Sequence, residues 1–355
     1  MSLGMNERLF SRQDFLRIAG GALGGTVVFF SVAGCGPAEG GETRLTLGHF
    51  SSEQHNIHRD VFVPFAEEIA ERSEGRIQVD IHPGGAMGPA EEQFEAGVQG
   101  VMDLSYGLQE YTPGRFPLTS AIVLPFLFDN AEQATRVFWE LYQTVPELAA
   151  EYEEVKVLGL WCGDPGAPHT VNRPIETVED LRGLRMRSPG RTTNLVLEEI
   201  GASPVGMPIT EVYDALERGV IDGMVSPYST MHNYDFQDLV GHTVPELSFY
   251  VPPQFFVMNR QTWEGLAPED QELIEELTGE ELSLRGATSY DAEREEGLRV
   301  LEERGIELHE VSEEALAQWH EAGEQVIDGW IEEREAQGLP GREVYEAMLE
   351  LRDQS

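Results

Sequence analysis

The sequence predicts an α/β protein of two lobes, each built on a central sheet. Two separate stretches, residues 43–106 and 181–227, each read strand, helix, strand, helix, strand, the order of a mainly parallel sheet. The length of 355 residues suits two domains at roughly 150 residues each. A long helical pattern runs from Pro268 to about Arg304. The hydrophobic fraction of 41% supports a real core.

Charge narrows the partners. The chain carries 24 basic against 64 acidic residues, a formal net charge of −40. That balance argues against nucleic acid and anionic membrane surfaces, which require basic patches. It suits a soluble protein in a salty medium, where screening reduces self-repulsion. An anionic ligand would then need a local cationic site working against the global field.

Residues 1–34 read as an export signal. Arg8, Arg12 and Arg17 make the start basic, and Ile18 to Phe30 is apolar but broken by Gly20, Gly21, Gly24 and Gly25. Val32-Ala33-Gly34-Cys35 resembles a lipoprotein cleavage site, with Cys35 as the lipidated residue; simple secretion after Ala33 is the alternative. Ser11 to Leu16 resembles a twin-arginine signal except that Gln13 stands where the second arginine belongs. Residues 35–42 then form a lipidated, flexible tether.

The mature chain opens with a strand over Arg44–His49, a polar loop, and a helix from about Val61 to Ser73 that Gly75 ends. Arg76–His82 alternates as a second strand. Pro83 to Gly88 is a glycine-rich turn before a helix over Glu91–Gly100, and Asp103–Tyr106 is the third strand. Tyr111 to Pro117 is a loop, and Asn130–Tyr142 a helix. Lys156–Trp161 is a strand leading toward the second lobe. There Leu184–Arg187 is a short strand with a cation at its carboxyl end, stopped by Ser188, Pro189 and Gly190. A helix over Thr192–Ile200, a strand over Pro204–Met207, and a helix capped by Thr210 with Val212, Leu216 and Val220 inward come next. Ile221–Val225 is the following strand, and Phe249–Asn259, aromatic and β-branched, returns to the first lobe. Beyond the long helix, Ile306–His309 is a strand, Ser312 starts a helix, and Glu343–Arg352 is another. The expected lobes are 43–161 with about 248–287, and 162–247 with about 288–355.

In open α/β sheets ligands sit beyond the carboxyl ends of strands. Arg187 and Ser226 both fall there. An arginine offers a forked, permanent cation suited to a carboxylate. Tyr106 and Trp161 at strand ends and Phe255 on the return strand are candidate cleft walls, with core packing as the alternative. His49 ends the first strand, and Arg115 is a candidate second cation with surface pairing as its alternative.

The run Gly183-Leu184-Arg185-Met186-Arg187-Ser188-Pro189-Gly190, then Gly201 to Val205, then Glu211 to Leu216, then Asp222-Gly223 resembles the solute-binding proteins of TRAP transporters, DctP-type branch. Phe65, Glu68, Gly75-Arg76, Pro83 to Gly85, Met87-Gly88, Gly100 and Asp103 resemble that family's amino-terminal domain. The resemblance implies a periplasmic-binding-protein-like (type II) fold: two α/β lobes with mixed sheets, an interlobe cleft and a long hinge-spanning helix. It implies a periplasmic receptor, not an enzyme, that grips a carboxylate with Arg187 and hands it to TRAP membrane permease subunits. Ser226 stands where many members carry a ligand-bonding asparagine. The second arginine of sialic-acid and some dicarboxylate binders is replaced here by Pro168-His169, which favours a monocarboxylate or oxo acid and leaves His169 as a weak polar candidate.

Other chemistries find less support. Gly84 to Gly88 resembles a phosphate loop, but no Gly-Lys-Ser/Thr follows. His55 and His58 suggest a metal, yet further ligands would have to converge on them. Cys162 and His169 could pair as nucleophile and base, but nothing orients them. No hydrolase elbow, zincin motif or dinucleotide fingerprint occurs, and no cofactor is expected. A metal or other small-solute receptor of an ABC-type importer is the alternative reading, and a cleft hydrolase a more distant one.

Overall fold

A computed structural model describes residues 42–245 and 247–355. The export signal and Cys35 lie outside the described residues. The first sheet collects β1 (Thr43–Gly48), β2 (Ile77–His82), β3 (Leu104–Leu108), β4 (Val155–Cys162) and β10 (Pro253–Asn259) in the order β2-β1-β3-β10-β4. β1 runs parallel to β2 and β3, while β10 returns antiparallel between β3 and β4. The crossovers are α1 (Val63–Arg72), preceded by a π-helical turn at His58–Phe62, and α2 (Gln93–Val98). Asn130 caps α3 (Ala131–Thr144) by accepting from Gln133 N, and Pro146 opens the short α4 (Pro146–Ala149).

The second sheet is also mixed. Its strands are β5 (Gly166–Thr170), β6 (Arg185–Ser188), β7 (Ser203–Gly206), β8 (Gly223–Pro227), β9 (His242–Thr243) and β11 (Glu307–Leu308), in the order β11-β9-β5-β8-β6-β7. β6 is parallel to both β7 and β8, joined through α5 (Arg191–Glu199) and α6 (Val212–Glu217). α7 (Ser229–Asn233) follows β8 directly. Gly166–Thr170, to which the sequence reading gave no strand, is β5. Pro168 fits there opposite Val225, and the strand lies antiparallel to β8 and β9.

Three expectations are corrected. Thr210 does not cap; a 3-10 turn at Ile209–Glu211 precedes α6 and makes no side-chain cap. Val220 is 50% exposed, because α6 ends at Glu217 and carries it out of the stripe of Val212 and Leu216. The long helical pattern is two helices, α9 (Pro268–Leu277) and α10 (Glu280–Arg304), after the short α8 (Arg260–Gly265). Gly279, at φ +81°, breaks them apart.

α10 spans both lobes. Ser283 Oγ accepts from Leu160 N of β4 at 3.0 Å, and Gly286 lies against Trp161. Further along, Gly297 lies directly on the carbonyl of Tyr228, between β8 and α7. α11 (Glu313–Ala336), capped by Ser312, buries Trp319 and Val326 in the core of the second lobe and Trp330 and Ile331 in that of the first. α12 (Gly341–Arg352) packs on α3 through Val344 and Met348, so the last helix sits with the first sheet and not the second.

Candidate functional site

A narrow cavity lies where the two sheets face each other. Its apolar walls come from six places along the chain: Phe50 after β1, Tyr106 on β3, Tyr111 on the turn after β3, Tyr234 after α7, Tyr250 after β9, and Tyr290 on α10. Arg187 projects into it from the end of β6 and is 1% exposed.

The backbone around Arg187 holds the guanidinium in place. Nε donates to Met207 O at 3.0 Å, Nη1 donates to Val225 O at 3.2 Å, and Nη2 donates to Tyr111 Oη at 3.2 Å. Each terminal nitrogen keeps one further N–H without a partner among the described residues, so a carboxylate can accept from both at once. The carbonyls of Met207 and Val225 are available because β6 lies between β7 and β8 and all three end on the cavity side.

Opposite the arginine, polar groups are tied among themselves. Tyr106 Oη donates to Gln254 Oε1 at 2.6 Å and lies 3.0 Å from Tyr290 Oη. Trp161 Nε1 donates to the same Gln254 oxygen at 2.9 Å. Tyr106 is stacked between Trp161 and Phe50, with centroids 5.8 Å and 5.6 Å away. Burial pushes the phenols of Tyr106 and Tyr290 up, so they stay neutral donors.

Of the residues singled out from sequence, Arg187 and Tyr106 line the cavity. Trp161 stands directly behind Tyr106, wholly buried, and supports the wall without forming it. Ser226 is one layer too deep; its hydroxyl meets Thr230 Oγ1 at 3.0 Å, while Pro227, Ser229 and Thr230 reach the surface of the cavity. His169 is below Ser226. Its Nε2 donates to Ser226 O at 2.8 Å, so Nδ1 is bare and accepts from Thr243 Oγ1 at 2.7 Å. Burial lowers its pKa to about 4, which keeps the ring neutral.

His49 sits behind the wall, with Nε2 3.0 Å from His58 Nδ1, and burial with neighbouring histidines lowers its pKa to about 3. His55, not His49, faces the cavity. Two candidates lie elsewhere. Phe255 points to the opposite face of β10 and packs on Phe94 and Phe116, because side chains alternate along a strand and Gln254 takes the cavity side. Arg115 pairs with Glu154 and covers the Phe94 ring at 4.9 Å, on the outer side of the first sheet. The tyrosines that sequence reading missed carry no local signal, since they converge from distant segments.

A second groove borders the cavity, lined by Glu110, Arg191, Thr192, Glu333 and Arg334 among others. Its two arginines both pair with Glu333, so neither offers the unspent fork that Arg187 does.

The DctP family model, bacterial extracellular solute-binding protein family 7, matches residues 47–333. The chain belongs to this family. Its members are solute-binding receptors, and the arrangement of two mixed sheets about a cleft is theirs. The chain is similar to the outer membrane transporter protein TsaT of Comamonas testosteroni, 24% identical over 302 residues, covering 84% of this chain and 88% of that protein. Among solved structures it is similar to a marine metagenome TRAP solute binding protein specific for aromatic acid ligands, in complex with metahydroxyphenylacetate or 3-hydroxybenzoate. The two are 30% identical, 88% of this chain and 99% of that chain are covered, and the TM-score is 0.85. It is also similar to a TRAP solute binding protein from Rhodoferax ferrireducens T118 with copurified benzoate, at 26% identity, 88% and 98% coverage, and a TM-score of 0.84. Among the described residues of this family 7 chain, no helix is long and apolar enough to cross a membrane.

Proposed function

We propose that this protein is the periplasmic receptor of a TRAP-type transporter and that its ligand is an aromatic monocarboxylate. One observation carries the reading: a single buried arginine, with an unspent N–H on each terminal nitrogen, opens into a cavity walled by tyrosines and one phenylalanine. The carboxylate takes the fork of Arg187. The ring slides between Phe50, Tyr106 and Tyr234, where faces and edges of aromatic rings attract another ring. Among the described residues that line the cavity, Arg187 is the one arginine or lysine, so a second carboxylate would find no second such cation. The relatives that hold hydroxyphenylacetate, hydroxybenzoate and benzoate support this class.

In this reading the lobes, residues 43–161 with about 248–287 and residues 162–247 with about 288–355, less the last helix α12 that packs on the first lobe, close on the ligand by bending where the chain crosses between sheets. The closed form is what the permease subunits recognise. Residues 1–34 are removed on export and Cys35 carries the lipid; the mass of the mature chain purified from its host tests that.

Titration calorimetry with benzoate, 3-hydroxybenzoate and 3-hydroxyphenylacetate, set against succinate, glucuronate and sialic acid, tests the ligand class. The aromatic acids bind and the other three do not. Tight binding of a uronate or dicarboxylate with none of an aromatic acid would overturn it.

A further inference from the structure

The second sheet carries a feature that ligand capture does not use. At its far edge, three strand positions from β6 and Arg187, β9 and β11 bring together His242, Glu307 and His309. The strands are parallel, with Glu307 opposite His242 and Leu308 opposite Thr243. Glu307 N donates to Gly241 O at 3.2 Å and His309 N donates to Thr243 O at 2.8 Å, which fixes the backbone of all three residues.

Their ligand atoms converge. His242 Nδ1 is 3.0 Å from His309 Nε2 and 3.2 Å from Glu307 Oε2, and His309 Nε2 is 3.6 Å from the same oxygen. Zinc binds imidazole nitrogen and carboxylate oxygen at about 2.0–2.2 Å in a tetrahedron, which places ligand atoms roughly 3.3 Å apart. The three separations bracket that value. The two imidazoles are mostly sheltered, at 17% and 16% side-chain exposure, while Glu307 at 67% closes the group from the solvent side.

A hydrogen bond between the two histidines accounts for the arrangement less well. If both rings are neutral, one nitrogen donates and the other presents its lone pair. The carboxylate oxygen then faces that lone pair with no proton between them. A cation at the centre satisfies all three atoms at once.

We propose that His242, Glu307 and His309 form a binding site for one zinc-class divalent cation, with water completing the tetrahedron. Imidazole and carboxylate select a borderline transition ion over magnesium or calcium. The formal charge of −40 favours accumulation of such a cation near the protein. The ion pins β11, only two residues long, to β9, and so anchors the end of α10, which stops at Arg304.

The test uses the untagged chain stripped with chelator. Equilibrium dialysis is run with Zn²⁺ in excess Mg²⁺, which fills ordinary acidic sites. The wild type retains one zinc per chain, and zinc raises its Tm. His242→Ala and His309→Ala each weaken retention on the order of a hundredfold. Glu307→Gln, at an exposed position that leaves the fold intact, weakens it less, and Arg187→Ala leaves it unchanged. Co²⁺ gives tetrahedral visible bands in the wild type that His309→Ala abolishes. Absence of retained zinc in the wild type would overturn the proposal. So would retention at the wild-type level by both the His242 and His309 variants, or loss of zinc on His58→Ala, which would place the ion at the other histidine cluster.

Discussion

Tyr111 and Arg187 meet across the seam between the two sheets. Tyr111 Oη accepts from Arg187 Nη2 at 3.2 Å and from Ile209 N at 2.9 Å. Tyr111 belongs to a 3-10 turn that follows β3 in the first sheet; Arg187 and Ile209 belong to the second. One phenol oxygen therefore satisfies two donors of the opposite lobe, and its own proton remains for a ligand oxygen. The closed geometry and the carboxylate fork are built by the same contact.

Truncating the fork removes the ligand's counter-charge from a buried site. Arg187→Ala is expected to cost about 2–5 kcal/mol of affinity for the aromatic acid. Arg187→Lys recovers only part, because an ammonium cannot reproduce the bonds to Met207 O, Val225 O and Tyr111 at once. Tyr111→Phe leaves Ile209 N and one Arg187 N–H unpaired in the closed form and costs about 1–3 kcal/mol. Calorimetry on the three variants checks the order; an unchanged Kd for Arg187→Ala would remove the arginine from the site.

Glu110 links ligand capture to pH. It sits one residue before Tyr111, packed against Gly190 of the other lobe, and neither carboxylate oxygen has a hydrogen-bond partner among the described residues. Burial pushes its pKa from 4.5 up to about 8; Arg187 and Thr193 pull the other way but too weakly. An opened cleft returns the group toward 4.5. Below that value both forms are protonated and closure carries no penalty. As pH rises toward 8 the closed form must hold a proton that the open form has released. As far as Glu110 governs it, affinity is therefore highest below about pH 4.5, falls between there and pH 8, and then levels off. Binding at pH 7 takes up a proton, visible as a dependence of the calorimetric heat on the buffer's ionisation enthalpy. Glu110→Gln flattens the profile. A flat wild-type profile would show that Glu110 does not titrate with closure.

Much of this architecture was legible because its signals are local. Gly183 to Gly190 spells a strand, a cation at its end and a turn, and the resemblance of that run to the TRAP solute-binding proteins singles out Arg187. Residues 203–206 and 223–227 could be read the same way. What escaped reading depends on partners distant in sequence. The segment at Gly166–Thr170 has two glycine and proline positions that argue for a loop, yet pairing with β8 and β9 makes it a strand. Phe255 and Gln254 are equally plausible on a buried strand until the register of β10 assigns one to each face. Tyr234, Tyr250 and Tyr290 look like ordinary core residues singly, and only the fold turns them into one wall.

Cys162 ends β4 fully buried, and burial raises its thiol pKa well above the usual value. It should be inert. In a mature chain carrying Cys35→Ser, a thiol reagent is expected to label nothing under native conditions and one thiol per chain in denaturant. Rapid native labelling would mean that the region around β4 opens readily, and would revive a reactive role for this cysteine.

Two glycines on long helices should respond in opposite directions. Gly329, exposed on α11, has nothing within 4 Å of where a Cβ would stand. Gly329→Ala therefore gains helix propensity at no packing cost, about 0.5–1 kcal/mol. Gly297 lies on α10 where a Cβ would come 2.0 Å from Tyr228 O. That carbonyl belongs to backbone at the start of α7, and the Tyr228 ring is held by Thr243 at 2.7 Å, so the chain has little room to yield. Overpacking costs about 1–3 kcal/mol, which outweighs the same propensity gain. Denaturant unfolding should show Gly329→Ala shifted to higher midpoint and Gly297→Ala to lower. If Gly297→Ala were neutral, α10 would not be seated on the second lobe as closely as described, and its role in joining the lobes would fail with it.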